Sequence, residues 1–136
     1  MQTKKKIKEI YNCKYITSSE ELFPLQKWYN DLIDKTIDDI TIADVLRMIC
    51  QKELINIAMS KAIEFLKENI FAGEGYDGEL LEKLSETDIS LWQLYLEDLK
   101  YILGDTLKKI ENHEWTYDGE EEEFKEIVES ISTKLE

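Results

Sequence analysis

The sequence predicts an all-α fold, a single domain over residues 1–136 built as a bundle of about five to six helices. Three observations carry this. Only one proline and five glycines occur in 136 residues, few for the many tight turns of a sandwich or barrel. Leu, Ile, Glu and Lys dominate the composition, which favours helices. Apolar residues also recur at three- and four-residue spacing along most of the chain, the period that puts them on one helical face. A chain of this length can bury a core without metal or disulfide staples.

The opening, KKIKEIYNCKYI, suits a short strand by its Ile and Tyr content or a poorly formed helix, so residues 1–15 stay unassigned. Ser18 and Glu21 have capping-box spacing, but Pro24 would interrupt a helix begun there. A single turn followed by a new helix from Pro24 satisfies both, with Leu25, Trp28, Tyr29, Leu32 and Ile33 on one face. Thr41 can accept an amide hydrogen bond at the start of the next helix, and Asp44 sits favourably in its first turn. Ile42, Val45, Leu46 and Ile49 form its stripe. The following helix carries Leu54, Ala58, Ala62 and Leu66 in one row with Ile55, Met59 and Ile63 beside them. That breadth predicts a central helix packed on more than one side. Gly73, Gly75 and Gly78 permit a tight turn that presents its acids at the surface, and another helix begins at once. Trp92, Tyr95, Leu99, Ile102, Leu103 and Ile110 trace a long helix with Gly104 as a weak point that bends it. After Asp118 and Gly119, a last helix places Phe124, Ile127, Val128, Ile131 and Leu135 on one face.

The formal net charge is −13, from 30 acidic and 17 basic residues. That argues against direct binding to nucleic acid, which needs Lys and Arg to displace counterions, and suits a cationic partner. The same excess would also keep a helical domain soluble. Cys13 and Cys50 lack CxxC spacing, and Cys50, in an apolar helical run, is expected to be a buried thiol. No apolar run approaches the roughly 20 residues of a membrane span, and the basic start has no apolar core of a signal peptide, so a cytoplasmic protein with no membrane partner is expected.

Catalytic chemistry has little to stand on. The only histidine, His113, lies in a polar setting near a helix end, where a dipole contact is a better account than a triad base. HExxH, zinc ribbons, Walker loops and GxGxxG are absent. Segment 73–78 carries carboxylates that would repel a phosphate. Glu122, Glu123 and Glu126 have EExxE spacing that resembles the Mg²⁺ site of MazG-like all-α nucleotide pyrophosphohydrolases. No further helix follows to supply the second acidic pair those enzymes use, and acids in a helix first turn are stabilised by the dipole alone. The expectation is no enzyme, no metal and no cofactor. Trp28 and Trp92 sit on apolar stripes and belong to the core. Trp115, with Tyr117 in HEWTYDG, is either a lid on the core or a binding hot spot beside acids.

From Asp39 to Leu84, with a looser match at Trp92, the chain resembles the contact-dependent growth inhibition (CDI) immunity proteins. The resemblance rests on Ile40-Thr41-Ile-Ala-Asp44 as a helix start and on Leu46-Arg47 running to Gln51-Lys-Glu-Leu54. An Ala-rich helix from Ala58 to Leu66 follows, and then the turn Tyr76-Asp-Gly78-Glu79-Leu80-Leu81. Glu79 stands where the family pattern has Asp, which keeps the charge. The resemblance implies an all-α protein that binds the toxic C-terminal domain of a cognate effector and occludes its active site. A nuclease with a basic groove would be suited to an acidic inhibitor. The partner-binding candidates are Asp38, Asp39, Glu74, Asp77, Glu79, Trp115, Glu120, Glu121, Glu122 and Glu123. The competing readings are an acidic DNA mimic that inhibits a DNA-binding protein, and a Mg²⁺-dependent nucleotide hydrolase.

Overall fold

The computed structural model describes residues 5–136, so the first residues of the unassigned opening lie outside it. Among the described residues there are eight α-helices and no strands. They are α1 (Ile7–Tyr11), α2 (Pro24–Ile33), α3 (Ile42–Gln51), α4 (Ile55–Glu68), α5 (Glu79–Ser85), α6 (Leu96–Leu103), α7 (Thr106–Asn112) and α8 (Glu120–Leu135), with 3-10 turns at Ile37–Asp39 and Ile89–Tyr95. The predicted all-α class holds. The two helices beyond six have separate causes.

The first is α1, in the stretch the sequence leaves unassigned. It is only five residues long, too short to be stable alone. Tertiary contact holds it: Ile7 is fully buried, its amide donates to the carbonyl of Lys35 at 2.8 Å, and Lys8 pairs with Asp34 at 2.9 Å. The second comes from the predicted long helix over Trp92–Ile110, which is divided rather than bent. Asp88 caps the 3-10 turn by accepting from the Ser90 amide at 2.9 Å, and the buried Trp92 indole donates to Thr87 Oγ1 at 2.9 Å. Between α6 and α7, Thr106 Oγ1 donates to the carbonyl of Leu103 at 2.7 Å. Side-chain hydroxyls there replace helical backbone bonds, which periodicity does not register.

Helix α4 is central, as its breadth predicts. It packs against α3, α5, α6 and the 3-10 turn before α6, and buries Ile57, Ala58, Met59, Ala62, Ile63 and Leu66. The predicted start of α3 is also present. Thr41 Oγ1 accepts from the Asp44 amide at 3.1 Å, while Asp44 Oδ2 accepts from the Thr41 amide at 3.0 Å. Asp44 is buried, and its carboxylate also takes Lys35 Nζ at 2.5 Å and the Trp28 indole at 3.1 Å. Burial pushes its carboxyl pKa up, but the bonds from Lys35, Thr41 and Trp28 outweigh that and hold it below the ordinary value.

Cys50 corrects one expectation, because it is exposed. Helix α3 buries Val45, Met48 and Ile49, and at about 100° per residue Cys50 falls off that stripe near the helix end. No helix among the described residues is long and apolar enough to cross a membrane.

Candidate functional site

The glycine turn, the loop between α7 and α8, and the start of α8 meet at one end of the molecule. The turn leaves α4 through Phe71 and Ala72 and is closed by two backbone bonds, Gly78 N to Phe71 O at 2.9 Å and Leu80 N to Ala72 O at 3.0 Å. Of its three glycines only Gly78 has a positive φ, +83°. Gly73 is needed for space instead, since a Cβ there would collide with the Tyr76 carbonyl. Glu79 Oε1 accepts from the amides of Glu74 at 3.0 Å and Gly75 at 2.8 Å. The carboxylate therefore organises the turn that precedes it.

The loop docks on this turn through aromatic rings. His113 stacks on Phe71 with ring centroids 3.8 Å apart, and its Nε2 lies 2.8 Å from Asp77 Oδ2. Trp115 meets Phe71 at 5.5 Å, His113 at 4.5 Å and Phe124 of α8 at 5.6 Å. Its indole donates to the carbonyl of Ile110 at 3.3 Å. His113 thus has an aromatic as well as an acidic environment, where the sequence suggests a polar one. Edge and stacked contacts of this kind each contribute about 0.5–1.5 kcal/mol beyond burial.

A cleft of about 410 Å³ opens between turn and loop, lined by Glu74, Tyr76, Asp77, Thr116, Tyr117 and Glu120 among others. Tyr76 and Tyr117 are exposed at its rim, Tyr76 donating to Glu82, and Tyr117 to Glu123 Oε2 at 2.7 Å. Both phenol pKa values are raised, chiefly by those carboxylate acceptors, so both stay protonated donors.

The structure thus gathers Glu74, Asp77, Glu79, Trp115 and Glu120 to Glu123 in one region, but in different roles. Glu74 and Glu123 are exposed. Asp77 is tied to His113, and Glu79 to the turn amides. Glu120 departs from its expected surface position: it is 5% exposed, and its Oε1 accepts from the Thr116 amide at 2.7 Å, bracing the loop. Glu121 and Glu122 face Lys125 at 4.0 and 3.5 Å. Asp38 and Asp39 stand apart, on the 3-10 turn before α3, both exposed and with no side-chain bond among the described residues. Trp115 is half-buried within the cluster. No group of three or more His, Cys, Asp or Glu among the described residues could hold a metal ion.

Phe71 and the His113 contact with Asp77 were not foreseen, and Tyr76 entered only as part of the turn motif, not as a residue of the face. One signal was available: residues 68–82 and 110–124 both lack Lys and Arg while carrying several acids each. Their adjacency is a tertiary fact.

The family model for CDI immunity proteins matches residues 9–102. The chain belongs to the CDI immunity protein family. Neutralisation of a cognate CDI toxin follows from that membership, and proteins of this family are generally non-enzymatic inhibitors. No curated protein matches the chain. The family match includes the glycine turn of this immunity protein and ends before α7, the aromatic loop and α8.

Proposed function

We propose that this CDI immunity protein neutralises its toxin by direct occlusion, laying the face around the Tyr76 and Tyr117 cleft over a cationic groove in the toxin domain. The observation that carries the proposal is the convergence of segments 68–82 and 110–124, neither with a Lys or Arg, around two exposed tyrosines. Acids of one sign steer a basic partner to the face and speed encounter. Tyrosines at the rim supply rigid contact area with a donor hydroxyl, the chemistry of interface hot spots. Half of the face lies outside the family-matched span, which suits a surface fitted to one toxin on a shared scaffold. Asp38 and Asp39 form a second, separate candidate contact.

The test must respect the roles of the acids. Reversing Asp77 or Glu79 would break the turn as well as the field, so Glu74→Lys with Glu123→Lys is the informative pair; the second change gives up only the exposed Tyr117 bond and a first-turn dipole contact. Association with the toxin domain should slow by about tenfold or more at low salt, with circular dichroism unchanged and stability lowered by no more than about 1 kcal/mol. An unchanged association rate in a folded double variant would exclude this face as the steering surface.

A further inference from the structure

Lys61 is the one buried basic residue among the described residues, 3% exposed on α4, on the same face as Ile57. An ammonium has three donor hydrogens. Among the described residues its one carboxylate contact is Glu64 Oε1 at 3.2 Å, one turn along, and the Phe65 ring centroid lies 5.1 Å from Nζ. Glu64 itself is largely exposed, so much of its charge is shared with water. Beside Lys61 a cleft of about 240 Å³ is lined by Tyr11, Asn56, Ser60 and Tyr95. These residues bring three hydroxyls and an amide, all able to donate. They come from the end of α1, one face of α4 and the turn before α6.

We propose that this cleft binds a carboxylate, with Lys61 supplying the charge and the residues around it the neutral donors. A buried ammonium is costly unless paired and hydrogen-bonded, and an incoming carboxylate oxygen would use a donor that Glu64 leaves free. The charge selects the class of ligand. With one lysine already facing Glu64, the site suits a single carboxylate better than a phosphate dianion, which calls for more than one positive charge. The carboxylate can belong to a small free acid or to an Asp or Glu side chain of a bound protein. This inference is independent of the acidic face.

The experiment titrates sodium acetate into the isotopically labelled full chain at constant ionic strength, with sodium chloride as control, and follows the Asn56 side-chain amide and the Ser60 backbone amide by NMR. The expected result is saturable shifts with acetate that chloride does not reproduce, weakened about tenfold or more in Lys61→Met. Shifts that do not saturate, that chloride matches, or that persist in Lys61→Met would overturn the proposal. Methionine keeps the buried stem of lysine. If that variant fails to fold, Asn56→Ala with Ser60→Ala changes only exposed positions and should weaken acetate binding severalfold; unchanged affinity would overturn it equally. Toxin affinity separates the sources: a loss in Lys61→Met assigns the carboxylate to the partner, and unchanged affinity assigns it to a free acid.

Discussion

Gly78 and Gly119 offer a matched pair for measuring how tightly the candidate face is built. Both adopt the left-handed backbone, at φ +83° and φ +93°, and each precedes a helix, α5 and α8 respectively. Alanine at either site would meet the same backbone penalty, about 1 kcal/mol. The surroundings differ. A methyl at Gly78 would sit 2.6 Å from Cδ1 and 2.7 Å from Cε1 of Phe124, whereas nothing lies within 4 Å of one at Gly119. Phe124 is buried and touches Phe71 and Trp115, so it cannot swing away without opening the cluster. Overpacking of this kind costs about 1–3 kcal/mol. Gly119→Ala should therefore cost about 1 kcal/mol and Gly78→Ala about 2–4 kcal/mol. At roughly 4 °C per kcal/mol for a chain of this size, the melting temperatures should fall by about 4 °C and about 8–16 °C. Urea unfolding of the two variants with unchanged m-values measures the difference directly. Equal destabilisation would show that the turn does not press on Phe124, and the account of the face as one packed unit would fail.

Further outcomes follow from particular residues. Asp44→Asn removes a buried charge from Lys35, the Thr41 amide and the Trp28 indole and should destabilise by about 1–3 kcal/mol at pH 7, measured in urea. The Asp44 pKa is lowered in the folded protein from its ordinary 3.8, so its stabilisation is present above that pH and lost as pH falls through the folded pKa. Unfolding free energies between pH 6 and pH 2 should therefore fall less steeply in Asp44→Asn than in the parent chain. Lys52, exposed and left-handed at φ 55° where α3 ends, should gain about 0.5–1 kcal/mol on replacement by glycine, seen as a raised melting temperature. Cys50 should react with a thiol reagent in the native protein faster than the half-buried Cys13, and Cys50→Ser should change stability by no more than about 0.5 kcal/mol.

Several parts of the fold could be read from the chain because their causes are local. The Thr41 and Asp44 pair announces the start of α3, Pro24 that of α2, and the spacing of Phe124, Ile127, Val128 and Ile131 the inner face of α8. Two elements were hidden for opposite reasons. Helix α1 has almost no local signal and exists because Ile7 is buried and its amide finds Lys35. The break at Gly104 and the 3-10 turn at Trp92 lie under a strong helical period, overruled by Thr106, Thr87 and Asp88 bonding to nearby backbone and side chains.

The candidate site divides in the same way. Composition, period and spacing are enough to read a helical, strongly acidic chain and to say which acids lie in turns and helix starts, and the motifs between Asp39 and Leu84 carry the resemblance to CDI immunity proteins. Which acids are engaged inside the molecule and which stay exposed is settled by packing. Glu79 and Glu120 accept from backbone amides and Asp77 meets His113, whereas Glu74 is exposed near Tyr76 and Glu123 is exposed with the rim hydroxyl of Tyr117 on it. A carboxylate's role depends on the donors that reach it. Those for Asp77 come from residues far along the chain, joined by the packing of Phe71, His113, Trp115 and Phe124.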